Sequence, residues 1–279
     1  MKGMFELKYK LICIDMDGTL LNKSGEISKR NLEAIKMASK NGVNVAVTTG
    51  RLFASANYFA DLLEVKTPVI ASNGAYIREK SSDKVIYKSL LGYDNAIKVV
   101  EILKTFDLYP HFNTYDSIFT ERLINSSLFY SKLNETLPED RKIKICIAED
   151  WQKVLKENEG EILKCIVIDK DIEKIKRAKE EINKIETLEV VSSLKKNFEI
   201  MAKGVSKGKA VEMLANYYGI DRSEVICIGD NENDLSMINY AGLGIAMGNA
   251  EDFVKESAHY ITDTNDDDGV AKAIEKFVL

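Results

Sequence analysis

Two aspartates stand two positions apart near the start of the chain, directly after a short apolar run. The run Leu11–Ile14 predicts a buried strand, Asp15 and Asp17 follow it, and Gly18 allows the chain to turn sharply. Two carboxylates placed in this way can converge on one site, where they suit nucleophilic and acid/base chemistry or a hard cation such as Mg²⁺. A turn or a helix cap uses the same residue types, so the pair alone leaves both interpretations open.

A second polar cluster follows the next predicted strand. Thr48, Thr49, Gly50 and Arg51 come directly after the predicted strand of residues 43–47. A hydroxyl together with free backbone N–H groups at a strand-to-helix turn makes a cradle for phosphate. Thr-Gly turns are frequent, so this cluster is weak support for a phosphate site by itself.

Two further clusters occur in the last third of the chain. Lys207 stands in the first turn of a predicted helix, where a cation opposes the helix dipole unless an anion lies between them. We therefore expect Lys207 at the mouth of an anion site, with a solvated surface lysine as the alternative. The segment 229–234 holds Asp230, Asn233 and Asp234 after a predicted strand, and its oxygens suit a hard divalent cation. A polar loop that caps a helix is the alternative for this segment.

The elements that must position these clusters alternate regularly at both ends of the chain. Apolar runs followed by amphipathic stretches are typical of a parallel sheet flanked by helices, whose carboxyl strand ends meet at one edge. We therefore expect the four clusters to converge there. The predicted strands are residues 11–14, 43–47, 68–71, 225–228, 244–247 and 260–262. The predicted helices are one capped by Ser28 that ends near Gly42, residues 53–63, one that begins near Lys207, and residues 235–240, 252–257 and 270–278.

The middle of the chain has a different pattern. Strand-like segments at residues 111–115, 118–120, 143–147, 164–168 and 190–192 accompany two charged amphipathic helices, around residues 97–106 and 172–185. Both helices have the 3.6-residue apolar period of helices that lie on one side of a sheet. We therefore predict an α/β fold. Its doubly wound, Rossmann-like parallel-sheet core, residues 1–84 and 201–279, receives an inserted smaller α/β cap domain, residues 85–200.

The composition disfavours several classes of protein. The chain has 279 residues, 45% hydrophobic and 30% charged, as in an ordinary folded protein and unlike a disordered one. Its 39 basic and 44 acidic side chains give a net charge of −5, which disfavours nucleic acid as a partner. The longest segment without charge, residues 235–250, is too short and polar to span a membrane. Lys2, Glu6, Lys8 and Lys10 interrupt any signal peptide, and four widely separated cysteines offer no zinc site. We therefore expect a cytoplasmic protein with reduced thiols and no membrane partner.

The order of the four motifs resembles that of the haloacid dehalogenase superfamily of phosphohydrolases: Asp-x-Asp-Gly-Thr, Thr-Gly-Arg, Ser-Lys-Gly, then Gly-Asp-x-x-Asn-Asp. The size and place of the middle region resemble the Cof-type members, in which an α/β cap is inserted between the second and third motifs. Segments 73–75 (Asn-Gly-Ala) and 268–271 (Asp-Gly-Val-Ala) are similar to recurring segments of that family. The resemblance implies a Mg²⁺-dependent phosphatase. It would hydrolyse a small phosphorylated metabolite, such as a sugar phosphate, through an aspartyl-phosphate.

The resemblance also implies a role for each matching residue. Asp15 would be the nucleophile that attacks phosphorus, and Asp17 would protonate the leaving alcohol and then activate water. The phosphoryl oxygens would be held by Thr49, Gly50, Lys207 and Asn233. Mg²⁺ would be bound by Asp15, the backbone carbonyl of Asp17 and Asp230, with Asp234 in support. Arg51 and Asn73 would lie near the substrate.

Two other functions use a phosphorylated aspartate. A sugar phosphomutase would share the core and return the phosphoryl group to another hydroxyl. A non-enzymatic, receiver-like signalling module also combines acidic residues with a threonine and a lysine. Such a module needs only about 120 residues and would leave the inserted region unexplained. The sequence therefore favours a phosphatase, and it carries no prediction of an oligomeric state.

Overall fold

The computed structural model describes residues 8–64, 68–80 and 84–279. Within these ranges the chain has an α/β fold with one parallel sheet and two further sheets. Lys2 and Glu6, which entered the signal-peptide argument, lie outside the described residues. No helix in the described part is both long and apolar enough to cross a membrane.

The described residues form fourteen strands and ten α-helices. The strands are β1 (Leu11–Ile14), β2 (Asn44–Val47), β3 (Val69–Ala71), β4 (Tyr76–Arg78), β5 (Val85–Lys88), β6 (His111–Asn113), β7 (Ser117–Thr120), β8 (Lys144–Ile147), β9 (Lys164–Ile168), β10 (Leu188–Val191), β11 (Asn197–Ala202), β12 (Val225–Gly229), β13 (Leu243–Ala246) and β14 (Tyr260–Ile261). The helices are α1 (Lys29–Lys40), α2 (Phe53–Leu62), α3 (Tyr93–Thr105), α4 (Asn125–Leu133), α5 (Trp151–Glu157), α6 (Ile172–Ile182), α7 (Lys207–Tyr218), α8 (Leu235–Tyr240), α9 (Asp252–Ser257) and α10 (Gly269–Phe277). Each predicted strand and helix is present, and β4, β5, β11, α4 and α5 are elements that the sequence interpretation missed.

The parallel sheet has the strand order β14-β13-β12-β1-β2. All four residues of its interior strand β1 are buried, because both faces of the sheet are covered. Ile12 and Ile14 belong to one apolar cluster and Leu11 and Cys13 to another, as the alternation of a strand requires. The predicted parallel-sheet α/β fold is therefore confirmed, and it brings the carboxyl ends of β1, β2 and β12 side by side.

Serine side chains cap the first turns of α1 and α7. The Ser28 side chain accepts from the backbone N–H of Asn31, so the predicted cap of α1 is confirmed. At the start of α7, the Ser206 side chain accepts from the N–H of Lys209 in the same way. The second cap fixes the position of Lys207, the first residue of α7.

The six-stranded sheet has the order β10-β11-β9-β6-β7-β8, and its pairs are antiparallel except for β7 with β8. One face packs on α3 and α6 through an apolar cluster that includes Phe112, Cys165 and Phe198. Residues that alternate with these on the same strands point the other way. Lys164, Asn113 and Glu199 on that opposite face line a cavity shared with the carboxyl ends of β1 and β12.

The third sheet, β3-β4-β5, contains residues of both the predicted core and the predicted inserted cap. Strand β5 pairs with β4, although the predicted boundary at residues 84 and 85 assigns these two strands to different domains. Strand β11 similarly extends past the predicted boundary at residue 200. The division of the chain into a core and an inserted cap domain stays a prediction.

Candidate active site

Three of the four polar clusters line one cavity of about 540 Å³ between the parallel and six-stranded sheets, and Lys207 of the remaining cluster bonds to Asp15 on its lining. Parallel pairing aligns Ile14 of β1 with Ile228 of β12, so the loops that follow both strands begin side by side. The N–H of Asp15 donates to the carbonyl of Ile228 at 3.0 Å, which extends this pairing into the site. The cavity lining includes Asp15, Asp17, Thr49, Arg51, Asp230 and Asn233.

Three buried carboxylates, Asp15, Asp230 and Asp234, lie together, and the first two line the cavity. One oxygen from each lies within 4.8 Å of the others. Burial, with repulsion from Asp234 and Asp230, raises the pKa of Asp15 well above its usual value despite the attraction of Lys207. Burial and repulsion from Asp234 raise the pKa of Asp230 to about 7. A hard divalent cation would remove this repulsion, and carboxylate oxygens are the ligands it prefers, so the donor set fits Mg²⁺.

Lys207 is buried between two of these carboxylates. Its Nζ donates to Asp15 Oδ1 and to Asp234 Oδ1, each at 2.5 Å. Burial acts to lower the pKa of Lys207, but attraction to Asp15 and Asp234 outweighs it and raises the pKa. The expectation that Lys207 stands at the mouth of the site is wrong, since the residue is only 1% exposed. Lys207 is buried because α7 packs closely against α8. A Cβ on Gly208 of α7 would lie only 2.2 Å from the Ser236 carbonyl oxygen of α8.

The loop after β12 holds its own carboxylates in place. Oδ2 of Asp234 accepts from the backbone N–H groups of Asp230 at 2.9 Å and Asn231 at 3.1 Å. Asp230 in turn accepts from the Thr19 hydroxyl at 2.9 Å and from the Asn231 side chain at 2.7 Å. Because both Asp234 oxygens already accept hydrogen bonds, Asp234 mainly orients the loop and Lys207. The sequence interpretation missed Thr19, although the threonine of the first motif was its signal.

Asp17 stands apart from the three carboxylates. Its side chain is 59% exposed and accepts two hydrogen bonds from Arg51, at 2.8 Å from Nε and 2.6 Å from Nη2. The Arg51 guanidinium lies over the rings of Phe59 and Phe129, at 4.8 and 5.5 Å from their centroids. This placement leaves the Asp17 carboxylate at the cavity, free of Lys207 and of the carboxylate cluster, where it can exchange a proton with a substrate.

The turn after β2 and the segment after β3 are tied together. The Thr49 hydroxyl accepts from the N–H of Arg51 at 3.1 Å, and the Thr49 carbonyl accepts from the N–H of Asn73 at 3.0 Å. The side chain of Asn233 donates to Asn73 Oδ1 at 3.2 Å. Thr49, Gly50 and Asn233 line the cavity, whereas Asn73 contacts it through Asn233 and Gly50. Three of the four predicted phosphate-holding groups, Thr49, Gly50 and Asn233, are thus brought to one place.

Gly18 is needed at the floor of the site, and its replacement is expected to weaken metal binding. Its φ is +85°, and a Cβ there would lie 2.4 Å from Oδ2 of Asp230. In Gly18→Ala, Asp230 must leave its contacts with Thr19 and Asn231. We expect Mg²⁺ affinity, measured by titration calorimetry, to fall at least about ten-fold, as when groups that orient metal ligands are lost.

Gly25→Ala is the matched control for this experiment. Gly25 also has a positive φ, +76°, but a Cβ there would meet nothing within 4 Å. It therefore reproduces the backbone strain without the collision with Asp230. Equal Mg²⁺ affinities for the two variants would contradict the assignment of Asp230 as a metal ligand.

Comparison with known proteins gives a consistent picture. A family model described as haloacid dehalogenase-like hydrolase matches residues 12–274. The chain is 35% identical to the Bacillus subtilis 5-amino-6-(5-phospho-D-ribitylamino)uracil phosphatase YcsE, over 98% of each chain. It is 36% identical to the Bacillus subtilis putative phosphatase YxeH, over 97% of this chain and 99% of that one. A haloacid dehalogenase-like hydrolase from Bacteroides thetaiotaomicron has a similar structure. Its TM-score is 0.81 at 33% identity, over 96% of this chain and 99% of that one.

Proposed function

Because the chain belongs to the haloacid dehalogenase-like hydrolases and is a phosphatase, we propose that it transfers a phosphoryl group to Asp15 and then to water, with Mg²⁺ as cofactor. The substrate would be the phosphomonoester of a small metabolite. The observation that carries this proposal is the position of Asp15. It is a buried carboxylate at the cavity floor, held by a buried lysine and next to two further carboxylates.

Asp15 is arranged as a nucleophile. Lys207 holds Oδ1, which leaves Oδ2 as the oxygen to attack phosphorus. The lysine remains beside the Asp15 oxygens while negative charge moves onto the phosphoryl group, and it therefore supports the transfer electrostatically. Bound Mg²⁺ would be held by the side chains of Asp15 and Asp230 and by the backbone carbonyl of Asp17, with Asp234 in support. It would neutralise the charge of the phosphoryl group.

Asp17 would move the protons. In the first step it would protonate the leaving oxygen, and in the second it would take a proton from the attacking water. Its carboxylate accepts two hydrogen bonds from Arg51, which orient it at the cavity. For the acid role, Arg51 must loosen this contact when substrate binds, which the exposed position of Asp17 permits.

The remaining groups would hold the phosphoryl oxygens. We assign this role to the Thr49 hydroxyl, the backbone at Gly50 and the Asn233 amide, which line the cavity, and to the Lys207 ammonium, which bonds to Asp15. The wall of the cavity opposite these groups is formed by the six-stranded sheet and α4, which belong to the inserted region. We therefore propose that the inserted region contacts the leaving alcohol and excludes water during the transfer. Asn113, Ser126 and Phe129 are among the residues on that wall.

A phosphate-release assay tests the proposed function. An aryl phosphate with saturating Mg²⁺ should be hydrolysed by the unmodified protein and not by Asp15→Asn, which keeps the shape of the side chain. A panel of phosphomonoesters then ranks the leaving groups. The substrate in the name of the Bacillus subtilis relative YcsE, 5-amino-6-(5-phospho-D-ribitylamino)uracil, is the first to include, together with sugar phosphates and pyridoxal phosphate. Hydrolysis by Asp15→Asn at the unmodified rate would contradict the proposal.

Loss of Lys207 is expected to reduce turnover strongly. Lys207→Ala removes a cation that bonds to both Asp15 and Asp234, and removal of one charge-stabilising donor costs about 10²–10³-fold in kcat. Because the lysine is buried between carboxylates, we also expect the metal-free variant to melt at a lower temperature, since an unpaired buried charge is destabilising. Turnover is therefore measured with saturating Mg²⁺ on protein shown to be folded by circular dichroism.

Lys209→Ala is the control for the lysine variant. Lys209 lies in the same helical turn, but its side chain is exposed and pairs with Glu212 at 2.6 Å. Its removal should change neither turnover nor melting temperature appreciably. If Lys207→Ala behaved like Lys209→Ala, Lys207 would have no part in phosphoryl transfer.

A further inference from the structure

A buried ion pair on the six-stranded sheet lies at the cavity and has no role in the mechanism above. Lys164 of β9 and Glu199 of β11 are each only 2% exposed, and their side chains bond to each other. Two charges removed from water in this way usually add little stability over apolar residues of the same size. A contribution to folding stability therefore does not explain why this pair is present. Its other hydrogen bonds suggest a different role.

Those contacts reach two loops of the parallel-sheet region. Lys164 Nζ donates to the carbonyl of Gly50 at 2.5 Å, in the turn after β2. Glu199 Oε2 accepts from the side-chain amide of Asn73 at 3.0 Å, and Oε1 accepts from the Ser193 hydroxyl at 3.0 Å. The pair thus joins the six-stranded sheet to the predicted phosphate-binding turn and to Asn73.

Asn73 connects the ion pair to Asn233, which lines the cavity. Its φ is +55°, a left-handed conformation that a non-glycine residue adopts only when its surroundings hold it. Its Nδ2 donates to Glu199, which fixes the amide so that Oδ1 accepts from Asn233 at 3.2 Å. A Cβ on Gly50 would lie 3.0 Å from Asn73 Oδ1 and 3.3 Å from Glu199 Oε1, so the turn, the amide and the ion pair are closely packed.

We infer that Lys164 and Glu199 are positioning residues for phosphoryl transfer. Glu199 orients Asn73, Asn73 orients the Asn233 amide, and Lys164 holds the Gly50 turn. This inference rests on the proposed function, because Asn233 and Gly50 are its phosphate-holding groups. Its consequence is that the six-stranded sheet contributes to turnover even for a leaving group too small to be recognised by that sheet.

Two double variants test the Glu199 contact without leaving an unpaired buried charge. Lys164→Met/Glu199→Gln keeps an oxygen that can accept from Asn73, whereas Lys164→Met/Glu199→Met does not. Both remove one positive and one negative charge, so both should fold and melt within a few degrees of each other. With an aryl phosphate and saturating Mg²⁺, we expect the Met/Met form to have a kcat about 10–100-fold below the Met/Gln form, as when an orienting partner is lost.

Asn73→Gly supplies a second measurement, since glycine accepts the left-handed backbone and removes the amide. If Glu199 acts through Asn73, the kcat difference between the two double variants should disappear when both also carry Asn73→Gly. A difference that persists in the Asn73→Gly background would overturn the proposed route. If either double variant fails to fold, Asn73→Gly alone still tests the inference. It should lower kcat, and an unchanged kcat would overturn the inference.

Lys195→Met controls for simple loss of positive charge near the cavity. Lys195 is exposed and precedes the cavity-lining Lys196 but does not itself line the cavity, so its removal should leave kcat within about two-fold. A drop as large as that of the Met/Met form would assign the effect to general electrostatics and overturn the inference. The proposed function and the positioning role can fail separately. An unmodified protein with no Mg²⁺-dependent phosphatase activity would overturn the proposed function, whereas an active protein with equal double variants would overturn only the positioning role.

Discussion

Removal of divalent metal is expected to abolish phosphate release, and addition of Mg²⁺ to restore it. Asp15, Asp230 and Asp234 are buried within 4.8 Å of one another, and a phosphoryl group must enter beside them. Lys207 carries one positive charge against three carboxylates and the incoming phosphate. Without a further cation, repulsion keeps the raised-pKa carboxylates from being ionised together and disfavours phosphate binding. An aryl-phosphate assay with EDTA, followed by a Mg²⁺ titration, measures this dependence.

Two comparisons sharpen the metal prediction. Ca²⁺, which takes longer and less regular coordination than Mg²⁺, should support little turnover. Asp230→Asn removes a ligand and should need at least about ten-fold more Mg²⁺ for half-maximal rate, whereas Asp252→Asn, at an exposed side chain, should need no more. Full activity in EDTA would rule out metal dependence, and equal Mg²⁺ requirements for the two variants would place the cation elsewhere.

The convergence of the four motifs could be predicted because it follows from topology. Parallel strands end at one edge of the sheet, and the register of β1 with β12 carries Asp15 directly to the loop of Asp230. The short charged segments that follow apolar runs therefore identify both the sheet edge and its chemistry. Strands and helices with a clear apolar period were predicted for the same reason, since burial of one face dictates that period.

The environment of Lys207 could not be predicted in this way. The sequence places the lysine in the first turn of a helix, but its burial depends on how closely α7 approaches α8. Gly208 was the available signal, because a glycine at the second position of a helix permits close packing against the Ser236 carbonyl. Only the tertiary structure shows that this approach leaves Lys207 enclosed between Asp15 and Asp234.

Lys164 and Glu199 were missed for a different reason. Lys164 is the first residue of a predicted strand whose other residues are apolar, and Glu199 lies in a strand that was not predicted. Both side chains lie on the face of the sheet opposite the apolar cluster of Phe112 and Phe198. That face turns out to cover the cavity, and the two charges meet each other and two loops that are distant in sequence. A strand pattern shows which residues share a face but not what the face contacts.

Replacement of Asp17 by asparagine is expected to trap the phosphorylated protein. Asp17 lies at the cavity outside the carboxylate cluster, so it is the carboxylate best placed to activate water. Loss of a general base slows the assisted step by about 10²–10⁴-fold. An activated aryl leaving group needs little protonation, so Asp17→Asn should still load Asp15 while breakdown of the aspartyl-phosphate becomes slow. Asparagine keeps the size of the side chain and an oxygen that accepts from Arg51.

Mass spectrometry after an acid quench measures the trapped species. One additional phosphoryl group should be found on the peptide that carries Asp15, and it should be absent from the double variant Asp15→Asn/Asp17→Asn. Phosphate release in the steady state should fall by the same factor as the rate of loss of this label. A label on another peptide would overturn the assignment of Asp15 as the nucleophile, and rapid release by Asp17→Asn would assign water activation to another group.

The same experiment separates a phosphatase from a phosphomutase. Both would form the phosphorylated Asp15, but they differ in the acceptor that removes the phosphoryl group. In the unmodified protein, a phosphatase passes the group to water in each turnover, so phosphate released equals substrate consumed. A mutase retains the group until a sugar phosphate arrives and then releases an isomer. Formation of an isomer without free phosphate would therefore overturn the phosphatase in favour of the mutase.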